Sequence, residues 1–140
     1  MFPDDNSISI NDIKICLNDF KIEQFTDDNV SNVLIRKIEE SGMSMAEFAR
    51  RSGISESSII RHKFDRVNPS LEMIVAYCIT MRTNVFQSLY FISKAGYNIF
   101  FSDDKKIYLT LFMLSYYFGI NVKTANQILK SLNMRPLNKK

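Results

Sequence analysis

Helix start and stop signals crowd into residues 42–71, and they leave this chain few ways to fold. Gly42 sits where a left-handed residue ends a helix, and Ser44 follows as an N-cap with Glu47 three positions later. In that spacing the Ser hydroxyl accepts from the N3 backbone N–H, and the N3 carboxylate reaches back to the cap. Gly53 then stops the helix after barely two turns, and Ser55 caps the next one, which spans about 55–64. Residues 65–69 read as a loop, and Ser70 opens a further helix. Two short helices joined by a three- to four-residue turn with glycine must cross closely, so small residues belong at their contact. Ala46 and Ala49 are the residues placed to do this.

The same grammar continues outward and makes the chain all-α. Only 4 Gly and 3 Pro are present, too few for the turn chemistry of a sheet protein. Upstream, Ile10, Ile13, Leu17 and Phe20 recur at helical spacing, although alternation through Ile8, Ile10, Ile13 and Ile15 leaves a strand open. Thr26 to Asn29 breaks the pattern before a stripe of Val33, Leu34 and Ile38. Past the loop, Leu71, Ile74, Val75 and Cys78 form a buried side, and Asn84 with Gln87 repeats the capping spacing. A helix from near Ser102 or Asp103 carries the apolar stretch from Ile107 to Phe118. The last starts at Asn121, uses Val122, Ala125, Ile128, Leu129 and Leu132, and is expected to fray before Pro136.

Charge divides the chain. Residues 1–28 hold seven acids against Lys14 and Lys21, a net −5, so the remainder carries +8 of the total +3. A basic body with an acidic appendage suits a polyanion-binding domain, although simple solvation of the surface accounts for the balance equally well. Three segments follow: an acidic extension with one helix (1–28), a central domain (29–96) and a C-terminal helical pair (97–140). Cys16 and Cys78 lie far apart with no histidine or second thiol near either, so reduced thiols are expected rather than a disulfide or zinc. No basic and apolar leader pattern opens the sequence, and the uncharged run between Lys106 and Lys123 is too short to span a bilayer. A cytoplasmic location without membrane attachment is the expectation.

The run Gly42-Met43-Ser44-Met45-Ala46-Glu47-Phe48-Ala49, then Gly53-Ile54-Ser55, Ile59 and Asn68-Pro69-Ser70-Leu71-Glu72, resembles the Xre/Cro/C1 family of phage repressors and bacterial regulators. The resemblance covers roughly residues 31–95. It implies a five-helix, lambda-repressor-like helix-turn-helix domain, here with one extra helix before it and two after it. It also implies a homodimeric transcriptional regulator, most simply a repressor, that binds double-stranded DNA through the third helix of the domain. By position, Glu56, Ser57, Ile60 and Arg61 would face the major groove, where the Arg61 fork suits guanine O6 and N7. Ser44, Met45, Ser58, Arg66 and Asn68 would meet the DNA backbone. Met45 replaces a common Gln, Glu56 places an acid at a base-facing position, and Lys63 and Asp65 stand where Glu and Gly are common.

Outside the resemblance, Ile107 to Phe118 is apolar on nearly every face. That is more than one core-facing stripe needs. The last helix and the N-terminal helix wrap it, or it forms a dimer interface through Leu109, Phe112, Met113 and Tyr116, and both are expected to contribute. The run from Ala125 to Leu132 followed by Arg135-Pro136-Leu137 also resembles, more weakly, the short tail of some small low-GC Gram-positive regulators. An antitoxin-like or immunity-type protein that neutralises a protein partner is the alternative function. No phosphate loop, metal-ligand spacing or nucleophile motif is present, and His62 is the only histidine. No cofactor, metal or catalytic residue is therefore expected, and His62 reads as a partly buried structural residue.

Overall fold

The computed structural model describes residues 9–19, 29–99 and 105–138, and among these every regular element is a helix. In chain order they are α1 (Ile10–Asp19), α2 (Val30–Ser41), α3 (Met45–Ser52), α4 (Glu56–Lys63), α5 (Leu71–Met81), α6 (Val85–Lys94), α7 (Lys106–Phe118) and α8 (Val122–Ser131). Residues 10–19 are thus helical, which removes the strand alternative there. Phe20 and the proposed α7 start at Ser102 or Asp103 lie outside the described residues.

Local chemistry sets the helix ends. Asn29, Ser44, Ser55, Ser70, Asn84 and Asn121 each accept a backbone N–H three residues on, so each satisfies a donor the helix itself cannot. Asn84 and Gln87 form the full reciprocal box. Ser9 and Asp12 form another at the start of α1, with both N–H···O distances 3.1 Å, and the Ser9 N–H, with a smaller effect of the Ser9 hydroxyl, holds the Asp12 carboxyl below its ordinary range. At Ser44 the reciprocity is only half made. The hydroxyl accepts from Glu47 N–H at 3.1 Å, but the Glu47 carboxylate turns to Arg51 at 2.7 Å.

α5 is the central strut. Eight of its eleven residues are buried, and α2, α3, α6, α7 and α8 all pack on it. The core runs without interruption from Val33, Leu34 and Phe48 through Ile74 and Tyr77 to Leu111, Phe112, Ala125 and Leu129. The C-terminal pair therefore shares the central domain's core. Ser115 on α7 donates its buried hydroxyl to the Ile79 carbonyl of α5 at 3.0 Å, which fixes their relative register. After α8 the chain does not simply fray. It folds back, buries Leu137 completely, and donates Leu137 N–H to Asn126 Oδ1 at 2.8 Å.

α7 divides its apolar surface between two tasks. Tyr108, Leu111, Phe112 and Ser115 face the core, whereas Met113, Tyr117 and Phe118 are more than half exposed. The apolar residues of α1 (Ile10, Ile13, Ile15 and Leu17) are all exposed. Among the described residues no helix is long and apolar enough to cross a membrane, and no group of potential metal ligands gathers.

Candidate nucleic-acid interface

α3 and α4 form the site: α3 packs on α5, and α4 packs on α2 and α3 and reaches α5 through His62 and Tyr77. Gly53, with φ at +73°, makes the turn between them, a left-handed conformation that costs a residue with a Cβ about 1–2 kcal/mol. Of the small residues of α3, Ser52 is fully buried and Ala49 partly so, while Ala46, expected at the contact, faces solvent. Ser52 secures the turn by accepting Ile54 N–H at 3.3 Å.

A buried aromatic chain orients the pair. Phe48 of α3 stacks on Tyr77 of α5 with centroids 5.6 Å apart, and Tyr77 Oη lies 2.6 Å from His62 Nδ1 on α4. The His62 ring stands edge-on to Tyr77, and its backbone carbonyl accepts the Ser31 hydroxyl of α2 at 2.9 Å. His62 is only 3% exposed, more deeply buried than the sequence suggested. Burial also pushes the Tyr77 phenol well above its ordinary ionisation, so it remains a neutral hydrogen-bonding group.

With Ile59 and His62 directed inward, α4 turns Glu56, Ser57, Ile60 and Arg61 outward together, and all four are exposed. Arg61 leans on Ser58, with Nη2 3.4 Å from Oγ, so the guanidinium has a preferred direction and stays accessible. Ser58 itself cannot serve as a phosphate contact. It is buried, and its Oγ accepts from the Ser55 hydroxyl at 2.9 Å. Ser57, one position earlier, is the accessible hydroxyl.

The backbone-facing residues divide similarly. Ser44 is exposed, and its hydroxyl keeps a proton to donate after capping α3. Met45 packs its side chain against the core, leaving only its backbone N–H for an anion. Arg66 is exposed. Asn68 is exposed too, but its amide is committed to the Ala95 carbonyl at 3.1 Å, which ties the loop to the end of α6. Asp65 has φ at +55°, a left-handed geometry that glycine adopts at less cost. Of the four α7 residues expected at a dimer contact, Phe112 is fully buried in the chain's own core and is withdrawn from that role. Met113 is exposed, and Leu109 and Tyr116 are half-buried.

The sequence profile of the helix-turn-helix family, of the Xre/Cro/C1 type, matches residues 34–85, the stretch from α2 to the start of α6. This segment is a helix-turn-helix domain. No curated protein and no solved structure matches the chain. The helix-turn-helix domain is of the kind found in DNA-binding regulators, with α3 as its first helix and α4 as its second. Its outward row on α4 is therefore the surface to weigh as a nucleic-acid interface. Two exposed apolar residues after that row escaped sequence reading: Phe64, which ends α4, and Val67 in the loop beyond it. Their only signal was apolar character at the expected end of the helix and in the polar loop after it.

Proposed function

We propose that the chain is a sequence-specific DNA-binding transcriptional repressor that acts as a homodimer, with α4 as its recognition helix. One observation carries the proposal: within a helix-turn-helix domain, Glu56, Ser57, Ile60 and Arg61 share the outer face of α4 while His62 and Ile59 anchor it from behind. Arg61 pairs with a guanine edge, Ile60 meets a thymine methyl, and Glu56 accepts from cytosine N4. Ser44, the Met45 N–H, Ser57 and Arg66 set the register on the phosphates. Exposed Met113, Tyr117 and Phe118, with Tyr116 edge-on to Tyr117 at 5.0 Å, support a dimer built through α7. Such a dimer would hold two recognition helices about 34 Å apart on a palindromic site.

Selection of genomic fragments by the purified protein at near-physiological salt tests the proposal, because a shared palindromic sequence should be enriched. Arg61→Ala should then erode discrimination between that site and random DNA by about 1–3 kcal/mol. Arg66→Ala should weaken both to a similar degree. Enrichment of no sequence, or unchanged preference in Arg61→Ala, overturns the assignment.

The exposed apolar residues of α1 favour a second reading, in which an antitoxin-like or immunity-type regulator also holds a protein partner. Replacing Ile10, Ile13 and Leu17 by Ser separates the two, since loss of a stoichiometric partner with intact DNA selection belongs to this reading alone.

A further inference from the structure

On the side of the domain formed by α3, the end of α5 and the start of α8, two adjoining hollows of about 460 and 730 Å³ share Arg50, Arg51, Val122 and Lys123 and so form one groove. Arg82 enters it from the α5 end and Lys130 from the α8 side, and no carboxylate lines either hollow. Glu47 pairs with Arg51 at 2.7 Å and lies 4.0 Å from Arg50. Arg82, Lys123 and Lys130 have no acidic partner among the described residues. Like charges gathered on a concave surface raise each other's energy until an anion joins them.

The Arg82 side chain is also directed rather than free to sweep. Arg82 ends α5 in the left-handed conformation, φ +53°, and its Nη2 lies only 2.9 Å from where a Cβ on residue 119 would stand. Gly119 thus makes room for the guanidinium against the α7–α8 turn. The nearby α5 carbonyl of Ile79 is already occupied by the Ser115 hydroxyl and the Arg82 N–H. It has little capacity left to neutralise the cations. Val122 supplies an apolar floor, which continues past Met134 and Pro136 in the wider hollow.

We infer that this groove binds a small molecule carrying a phosphate or pyrophosphate group, with Arg50, Arg82 and Lys123 on the anion and the apolar remainder toward Met134 and Pro136. Guanidinium forks match phosphate oxygens in pairs, and an ammonium adds a point charge. A recess rather than a ridge favours a small ligand over the rod-like surface of a duplex. The groove joins the first helix of the helix-turn-helix domain to the C-terminal pair, so occupancy would act on DNA binding; this last step rests on the function proposed above.

Calorimetric titration of the full chain with inorganic pyrophosphate, at ionic strength held constant with chloride, tests the site. Saturable binding of one pyrophosphate per chain is expected. Lys123→Glu puts a carboxylate into the groove and should weaken binding at least tenfold. An acid in the first turn of a helix is favourable, so this variant should keep the wild-type unfolding midpoint. Arg82→Gln should also weaken binding, whereas Arg66→Gln, outside the groove, should not. A non-saturating response in the wild type, or wild-type affinity in Lys123→Glu, overturns the inference. So does a Lys123→Glu chain that loses DNA affinity without pyrophosphate, since the groove would then seat duplex phosphates. Pyrophosphate binding by a chain that selects no DNA sequence leaves the site standing and removes only its regulatory role.

Discussion

Replacing Tyr77 by Phe isolates the bond that holds α4 at its angle. The phenol oxygen lies 2.6 Å from His62 Nδ1, and both side chains are essentially sealed from solvent. Whichever partner donates, the substitution leaves a buried Nδ1 without that bond. The ring remains, so its stacking on Phe48 is retained and packing terms largely cancel. A buried polar atom that loses its partner costs about 1–3 kcal/mol. With a urea slope of about 2 kcal/mol/M for a chain of this size, the unfolding midpoint should fall by about 0.5–1.5 M at unchanged slope. Equilibrium urea denaturation followed by far-UV circular dichroism gives both quantities. A cycle with His62→Leu should return a coupling of about 0.5–3 kcal/mol. A midpoint within about 0.2 M of wild type, or strictly additive single effects, would refute the role given to this bond.

Other outcomes follow from the same physics. Gly53→Ala should destabilise more than Gly42→Ala: both residues have φ near +70°, but only a Cβ at 53 meets Asn138, at 2.9 Å, and Asn138→Ala should narrow the gap in thermal melts. Leu137→Ala should cost about 2–5 kcal/mol, the range for a fully buried leucine; a neutral result would mean the tail does not dock. Burial pushes the Cys78 thiol from 9.0 to about 11. The folded state therefore keeps its proton where the unfolded state has lost it, so the Cys78 share of stability, about 2–3 kcal/mol, should be lost as pH rises from about 9 to 11. Cys78→Ala should flatten that alkaline slope, as measured by urea midpoints across pH.

Much of the fold was legible because caps are local. Ser44, Ser55, Ser70, Asn84 and Asn121 act over three residues, and the sequence carries all the information their bonds use. Buried Leu71, Ile74, Val75 and Cys78 followed from period alone. The misses involve competition or distance. Glu47 had two suitors, a cap N–H and Arg51, and spacing does not rank them. Ser58 and Phe112 were assigned outward from positional analogy and from apolar excess; the burial of each depends on which way its helix is rotated about its axis by partners far along the chain. Leu137 meets its core only through the fold-back after α8, and the basic groove assembles from residues 50, 82 and 123.

His62 and Ile59 face inward on α4 while the outer row takes no part in the core, and this separates two kinds of sequence change. Substitutions at Glu56, Ser57, Ile60 and Arg61 fall on a replaceable cassette, so this surface can change without a penalty in folding. The inner positions have no such freedom. A library varied only on that outer row should yield folded proteins nearly throughout, and under the function proposed above they would differ in the sequences they select.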